Sequence, residues 1–192
     1  MTSKLAIAAL AAPLIAWAWL AMLLTHELGH VVAVPLTGGE LAYVNLYPGQ
    51  IPSTLAGPNP RPAVVLWAGF LSGWLLPLLV AVAVSRWRSM APFAWGWAGF
   101  CWLAGGVYLA FGGLERYADT AQLITLGWPG WPLVPLGLAV AAVGYWRCRR
   151  SWPEVVKARA TGRGVVVAWL AVAAWVAVQQ LLAAKVAVAV QG

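Results

Sequence analysis

The 192-residue sequence predicts an all-α, polytopic membrane protein of about five transmembrane helices, with a short β-hairpin or irregular loop after the first. Three observations predict it. Apolar residue types make up 62% of the chain and charged types 9%, too few charges to coat a water-soluble domain of this size. Five apolar windows, 5–34, 63–84, 92–111, 131–146 and 165–190, approach the ~20 residues a helix needs to cross ~30 Å of hydrocarbon. The basic residues, finally, fall in connections between windows, as membrane topology requires. One transmembrane domain over 1–192 accommodates all of this.

The first window runs unbroken from Leu5 through His26-Glu27-Leu28-Gly29-His30 to Pro35, with Pro13 as a kink point and Thr37-Gly38-Gly39 as its stop. Lys4, the apolar run and Ala16-Trp17-Ala18 superficially fit a cleaved leader. The run is too long for a leader core, and cleavage would detach the histidines from the helix that aligns them, so a retained span is expected. Residues 40–47 (ELAYVNLY) are strand formers, Pro48-Gly49 supplies a turn, and the proline-rich 51–61 reads as irregular. The second window carries Gly69 and Gly73, a spacing that lets helices approach closely. The third ends at Gly112-Gly113 and leads to Glu115, Arg116 and Asp119. After these, 120–126 reads as a short helix ended by Gly127. The fourth window is short and starts among prolines and tryptophans, and the fifth closes the chain.

Net charge is +7. If five spans alternate, Lys4, Arg86, Arg88, Arg147, Arg149, Arg150, Lys157, Arg159 and Arg163 share one side, while Arg61, Arg116 and Lys185 fall on the other. That bias places the N-terminus in the cytoplasm and the C-terminus outside. It makes 147–163 a cytoplasmic loop beside anionic lipid, so the bilayer is the expected partner and nucleic acid is not. Tryptophans near span ends, Trp87, Trp128, Trp131, Trp146 and Trp152 among them, fit an interfacial belt. Cys101 and Cys148 form no CxxC pair, and no disulfide is expected.

The chain's only two histidines both lie in the HExxH box. Side chains four positions apart on a helix share a face, so both imidazoles can reach one metal ion. Glu27 sits beside them as a general base that need not be a ligand. Ionisable groups at membrane depth are costly without a partner or a job. A catalytic zinc takes three protein ligands and a water, so the third must be a cysteine or one of Glu40, Glu115, Asp119 and Glu154. Topology removes Glu154. Glu40 sits past the helix end at a turn, whereas Glu115 and Asp119 both lie where the third span returns to the level of the box. Asp119 has a rival reading as a helix cap with Gln122 three residues on.

His26–His30 on an apolar first helix, a Gly/Pro-containing connection and a distant acid together resemble the site-2 protease family of intramembrane zinc metallopeptidases, in its compact bacterial branch. The resemblance covers most of the chain in layout, and only the box is specific. It implies a transmembrane peptidase domain in a bacterial cell membrane. One Zn²⁺ would be held by His26, His30 and an aspartate well downstream, best matched by Asp119 in Tyr117-Ala118-Asp119-Thr120. Where the family has an Asp-Gly pair, Asp119 is followed by Thr120. The expected reaction is hydrolysis of peptide bonds in membrane-embedded protein or peptide substrates, with Glu27 taking the proton of a zinc-held water. Tyr43 and Asn45, in a segment that could offer a strand edge to an extended peptide, and Arg116, as an oxyanion partner, are the expected substrate contacts. The alternatives are an inactive zinc-binding membrane scaffold and a metal transporter. The second and fifth windows are nearly free of polar residues, which disfavours transport.

Overall fold

The computed structural model describes residues 4–191, with side chains to 186. They form six helices and one hairpin: α1 (Lys4–Leu36), β1 (Leu41–Asn45), β2 (Ser53–Ala56), α2 (Pro62–Val84), α3 (Ala91–Glu115), α4 (Ala118–Thr125), α5 (Leu133–Arg159) and α6 (Gly162–Gln191). This is the all-α polytopic architecture that composition predicts. Helices α1, α2, α3 and the 162–186 part of α6 are long and apolar enough to cross a membrane.

Helix α1 continues straight through the HExxH box, with Pro13 buried inside it. It lies antiparallel to α2, and the two backbones nearly touch: a Cβ on Gly29 would stand 2.2 Å from the Ala68 carbonyl oxygen. Ser72 Oγ donates to the Thr25 carbonyl across this contact at 2.6 Å. Such close approach replaces the hydrophobic driving force that helices lack in lipid. Proline begins α2 at a position whose N–H has no helical partner to lose.

Helices α3 and α5 meet through glycines at seven-residue spacing, Gly99, Gly106 and Gly113 of α3 facing Gly144 and Gly137 of α5 and Gly130 just before its start. A Cβ on Gly106 would lie 2.6 Å from the Gly137 oxygen, one on Gly144 2.6 Å from that of Gly99, and one on Gly130 2.9 Å from that of Gly113. The antiparallel match carries the first half of α5 along the length of α3 and through the same depth. By composition alone α5 does not qualify as a span, because its second half carries Arg147, Arg149, Arg150, Lys157 and Arg159.

That second half corrects one expectation. The segment 147–163 is no loop: α5 stays helical to Arg159, leaving only Ala160 and Thr161 before α6. Arginine and lysine are good helix formers, and the buried Ser151 and Val155 anchor the extension. Val155 packs with Leu10, Ala160 and Ala168. The start of α1, the α2–α3 turn, the end of α5 and the start of α6 thereby gather at one end of the bundle.

The hairpin sits at the other end, after α1. Its strands pair antiparallel with Val44 opposite Thr54 and Asn45 opposite Ser53. The turn uses Gly49 in the left-handed region, where a Cβ is disfavoured. The 51–61 segment is thus only partly irregular, since Ser53–Ala56 supplies the second strand. Val44 and Leu46 pack with Leu24 and Ala183, and Gln179 of α6 donates to the Leu46 carbonyl at 2.9 Å.

Candidate metal centre

Both box histidines project from α1 toward α2, where Gly69 leaves room for them. A Cβ there would stand 2.4 Å from the His30 ring and 2.9 Å from that of His26. The imidazoles pack edge to face, with centroids 4.8 Å apart. His30 Nδ1–H donates to the Val65 carbonyl at 2.8 Å. A carbonyl only accepts, so in the neutral ring the proton sits on Nδ1 and the Nε2 lone pair is free.

Asp119 comes from the α3–α4 turn, 93 positions from His26. The turn is strained, since Arg116 (φ 53) and Ala118 (φ 46) are non-glycine residues in the left-handed region. Tyr117 is the N-cap of α4, which receives no side-chain cap. Asp119 lies in the first turn, and its carboxylate is spent on the histidines instead of capping the helix. Oδ2 stands 2.9 Å from His26 Nε2 and 3.5 Å from His30 Nε2, and the two Nε2 atoms are 3.2 Å apart. Tyr108 of α3 donates its hydroxyl to the same Oδ2 at 3.4 Å.

This triangle fits a divalent cation. Ligand atoms ~2.0–2.1 Å from a tetrahedral zinc stand roughly 3.3–3.4 Å apart, and the three edges are 2.9, 3.2 and 3.5 Å. The His30 lone pair faces a carboxylate oxygen and a second imidazole nitrogen, electron-rich atoms that repel unless positive charge lies among them. The Nδ1–carbonyl bond is the outer-shell contact that orients a ligating histidine.

Glu27 is buried on the same helix, and its carboxylate oxygen and the ligand nitrogens of the two histidines all lie within 4.8 Å of one another. Its Oε2 accepts from Thr54 Oγ1 of β2 at 2.8 Å, so the hairpin reaches the box directly. The other expected site residues are placed elsewhere. Glu115 ends α3 exposed, Arg116 is exposed beside it, and no hydrogen bond or ion pair links either to the box among the described residues. Asn45 is buried but occupied within the hairpin, donating to Gln50 Oε1 and the Ile51 carbonyl while accepting from Tyr47 N–H. Tyr43 is half exposed on β1.

Sequence reasoning missed Tyr108, Thr54 and Phe70. Phe70 stacks on Tyr108 at 5.5 Å and meets His26 edge-on at 5.5 Å, walling one side of the imidazoles. Only Tyr108 left a signal, a phenol near the end of an otherwise apolar window. Comparison with protein-family models, with curated proteins and with solved structures finds no match to this chain.

Proposed function

We propose that the chain is an intramembrane zinc metalloprotease that hydrolyses peptide bonds of membrane-embedded substrates, with its N-terminus in the cytoplasm. The observation that carries this reading is the His26–His30–Asp119 triangle, assembled from two distant parts of the chain beside a buried Glu27. A zinc ion held there supplies Lewis-acid chemistry, polarising a carbonyl and acidifying water near neutral pH.

The protein side chains do the rest. Thr54 ties down one oxygen of Glu27, which leaves Oε1 to take the proton from attacking water and return it to the leaving amine as the C–N bond breaks. Tyr108 and Phe70 restrict the approach to the imidazoles from one side. Thr54 also joins the hairpin to the catalytic acid, and the outer edge of β2 pairs with no other strand among the described residues. An extended peptide added to that edge would lie beside Glu27.

Glu27→Gln tests the reading. The variant should retain stoichiometric zinc and lose cleavage of a reconstituted transmembrane substrate. A zinc-holding scaffold predicts metal in both proteins and processing by neither. If wild type and variant cleave every candidate equally, the protease reading fails.

A further inference from the structure

The end of the bundle away from the box carries a feature that peptide hydrolysis does not use. A cavity of about 550 Å³ opens between the start of α1, the α2–α3 turn, the end of α5 and the start of α6. It adjoins a second cavity of about 520 Å³ between α1, α3 and α5, across a shared wall of Leu14, Trp17, Phe93 and Val155. Both volumes lie within the roughly 300–1,000 Å³ typical of small-molecule sites. The mouth of the first is basic, with Arg88, Lys157 and Arg159 lining it against a single acid, Glu154. All three are solvent-exposed, and like every other Lys and Arg among the described residues they form no ion pair. They also differ from Arg86, Arg147 and Arg150, each of which lies over a tryptophan ring.

We propose that this cavity is a binding site for one anionic phospholipid, its phosphate among Arg88, Lys157 and Arg159 and an acyl chain along Leu14, Trp17 and Phe93. Two requirements select that ligand. Three cations gathered on one mainly apolar chamber favour an anion there, and the chamber favours hydrocarbon attached to it. A soluble phosphate satisfies only the first requirement, and a neutral lipid only the second. The cations come from the α2–α3 turn and from α5, while the apolar wall comes mainly from α1, α3 and α6, so one lipid would tie these elements together. Basic pockets between transmembrane helices bind acidic headgroups on this physical basis. The proposal is independent of the zinc site.

Native mass spectrometry of the full chain in mild detergent, titrated with phosphatidylglycerol or phosphatidylcholine of matched chains, tests it. One phosphatidylglycerol should be retained in clear preference to phosphatidylcholine. At about fivefold per cation, changing Arg88, Lys157 and Arg159 together to Gln should weaken retention on the order of a hundredfold. Changing Arg86, Arg150 and Arg163 to Gln removes equal charge outside the cavity and should leave retention near wild type. Ala171→Trp, which fills the chamber from α6 with every charge kept, should also abolish it. Equal losses in the two charge variants, no loss in Ala171→Trp, or no headgroup preference in the wild type would each overturn the site. Displacement of the lipid by equimolar glycerol phosphate would do the same, since it would reveal a soluble-phosphate site.

Discussion

Gly69→Ala isolates the geometry of the candidate metal centre with a single added carbon. The new Cβ would stand 2.4 Å from His30 Cε1 and Nε2, whereas ordinary Cβ contacts begin near 3.4 Å, so the ring must retreat by about 1 Å. It cannot do so and keep the 2.8 Å bond from Nδ1 to the Val65 carbonyl. Loss of an outer-shell partner of a ligating histidine typically costs 10–100-fold in metal affinity, and a displacement of ~1 Å near the chemistry costs about 100-fold in rate. Gly73→Ala is the matched control, one turn further along α2. Its Cβ would meet His26 at 3.8 Å, an ordinary contact. Alanine is favoured over glycine in a helix interior by about 1 kcal/mol, so both variants gain helix propensity and only the first loses metal. Zinc competition against a chromophoric chelator should show affinity falling at least tenfold for Gly69→Ala and unchanged for Gly73→Ala. Equal affinities in the two variants would mean that the imidazoles do not lie over Gly69, and the metal centre as described would be wrong.

Three further outcomes follow from the same contacts. Asp119→Ala removes a proposed primary ligand and should lower zinc affinity by more than the ~10–100-fold expected for an outer-shell loss, measured by the same competition, while Glu115→Ala should change it little. Thr54→Val deletes a hydrogen bond to a carboxylate, worth roughly 1.5–3 kcal/mol. Turnover should fall about tenfold or more with zinc content intact; a wild-type rate would remove the hairpin from the catalytic account. Gly106→Ala puts a Cβ 2.5 Å from the Ala141 backbone nitrogen, which cannot swing aside as a side chain would. Overpacking of this kind costs ~1–3 kcal/mol, and a lowered thermal midpoint in detergent is expected despite the better helix former.

The legible parts of this molecule are those whose cause is local. His26 and His30 share a face because a helix repeats every 3.6 residues, and the apolar run from Leu5 to Pro35 makes that helix certain before any tertiary contact is known. The first strand and the turn follow from the strand formers before Pro48-Gly49, whereas Ser53–Ala56 becomes a strand only by pairing with Leu41–Asn45. Asp119 was reachable only because acids are so scarce that depth left two candidates, and the turn that presents it, with Arg116 and Ala118 left-handed, has no glycine to announce it. Tyr108 and Thr54 enter the site through helix and strand packing, and no spacing in the chain encodes their contacts. The extension of α5 to Arg159 was hidden for a different reason. Basic residues beyond an apolar window read as a loop by charge, yet lysine and arginine carry good helix propensity, and burial of Val155 decides in favour of the helix.

The strained turn and the candidate centre explain each other. Two non-glycine residues in the left-handed region cost ~1–3 kcal/mol each. Local packing offsets part of that: Thr120 sits against Gly112 and donates to the Tyr117 carbonyl, and Leu123 is fully buried with Leu66, Phe70, Leu109 and Leu133. Burying one leucine contributes ~1.5–3 kcal/mol, which does not cover the upper range of the strain. The remainder falls to Asp119, whose carboxylate oxygen lies 2.9 Å from His26 Nε2, a charged hydrogen bond of ~1.5–3 kcal/mol when that nitrogen carries its proton. Helix α2 connects the two halves, with Gly69 under the histidines and Phe70, its neighbour, packed on the leucines that hold α4. The turn therefore stays in its costly conformation because the carboxylate at its end has something to bind. A carboxylate held by such contacts is what the proposed metal-binding arm requires, whereas a purely structural connection between α3 and α4 could place glycine at the two left-handed positions.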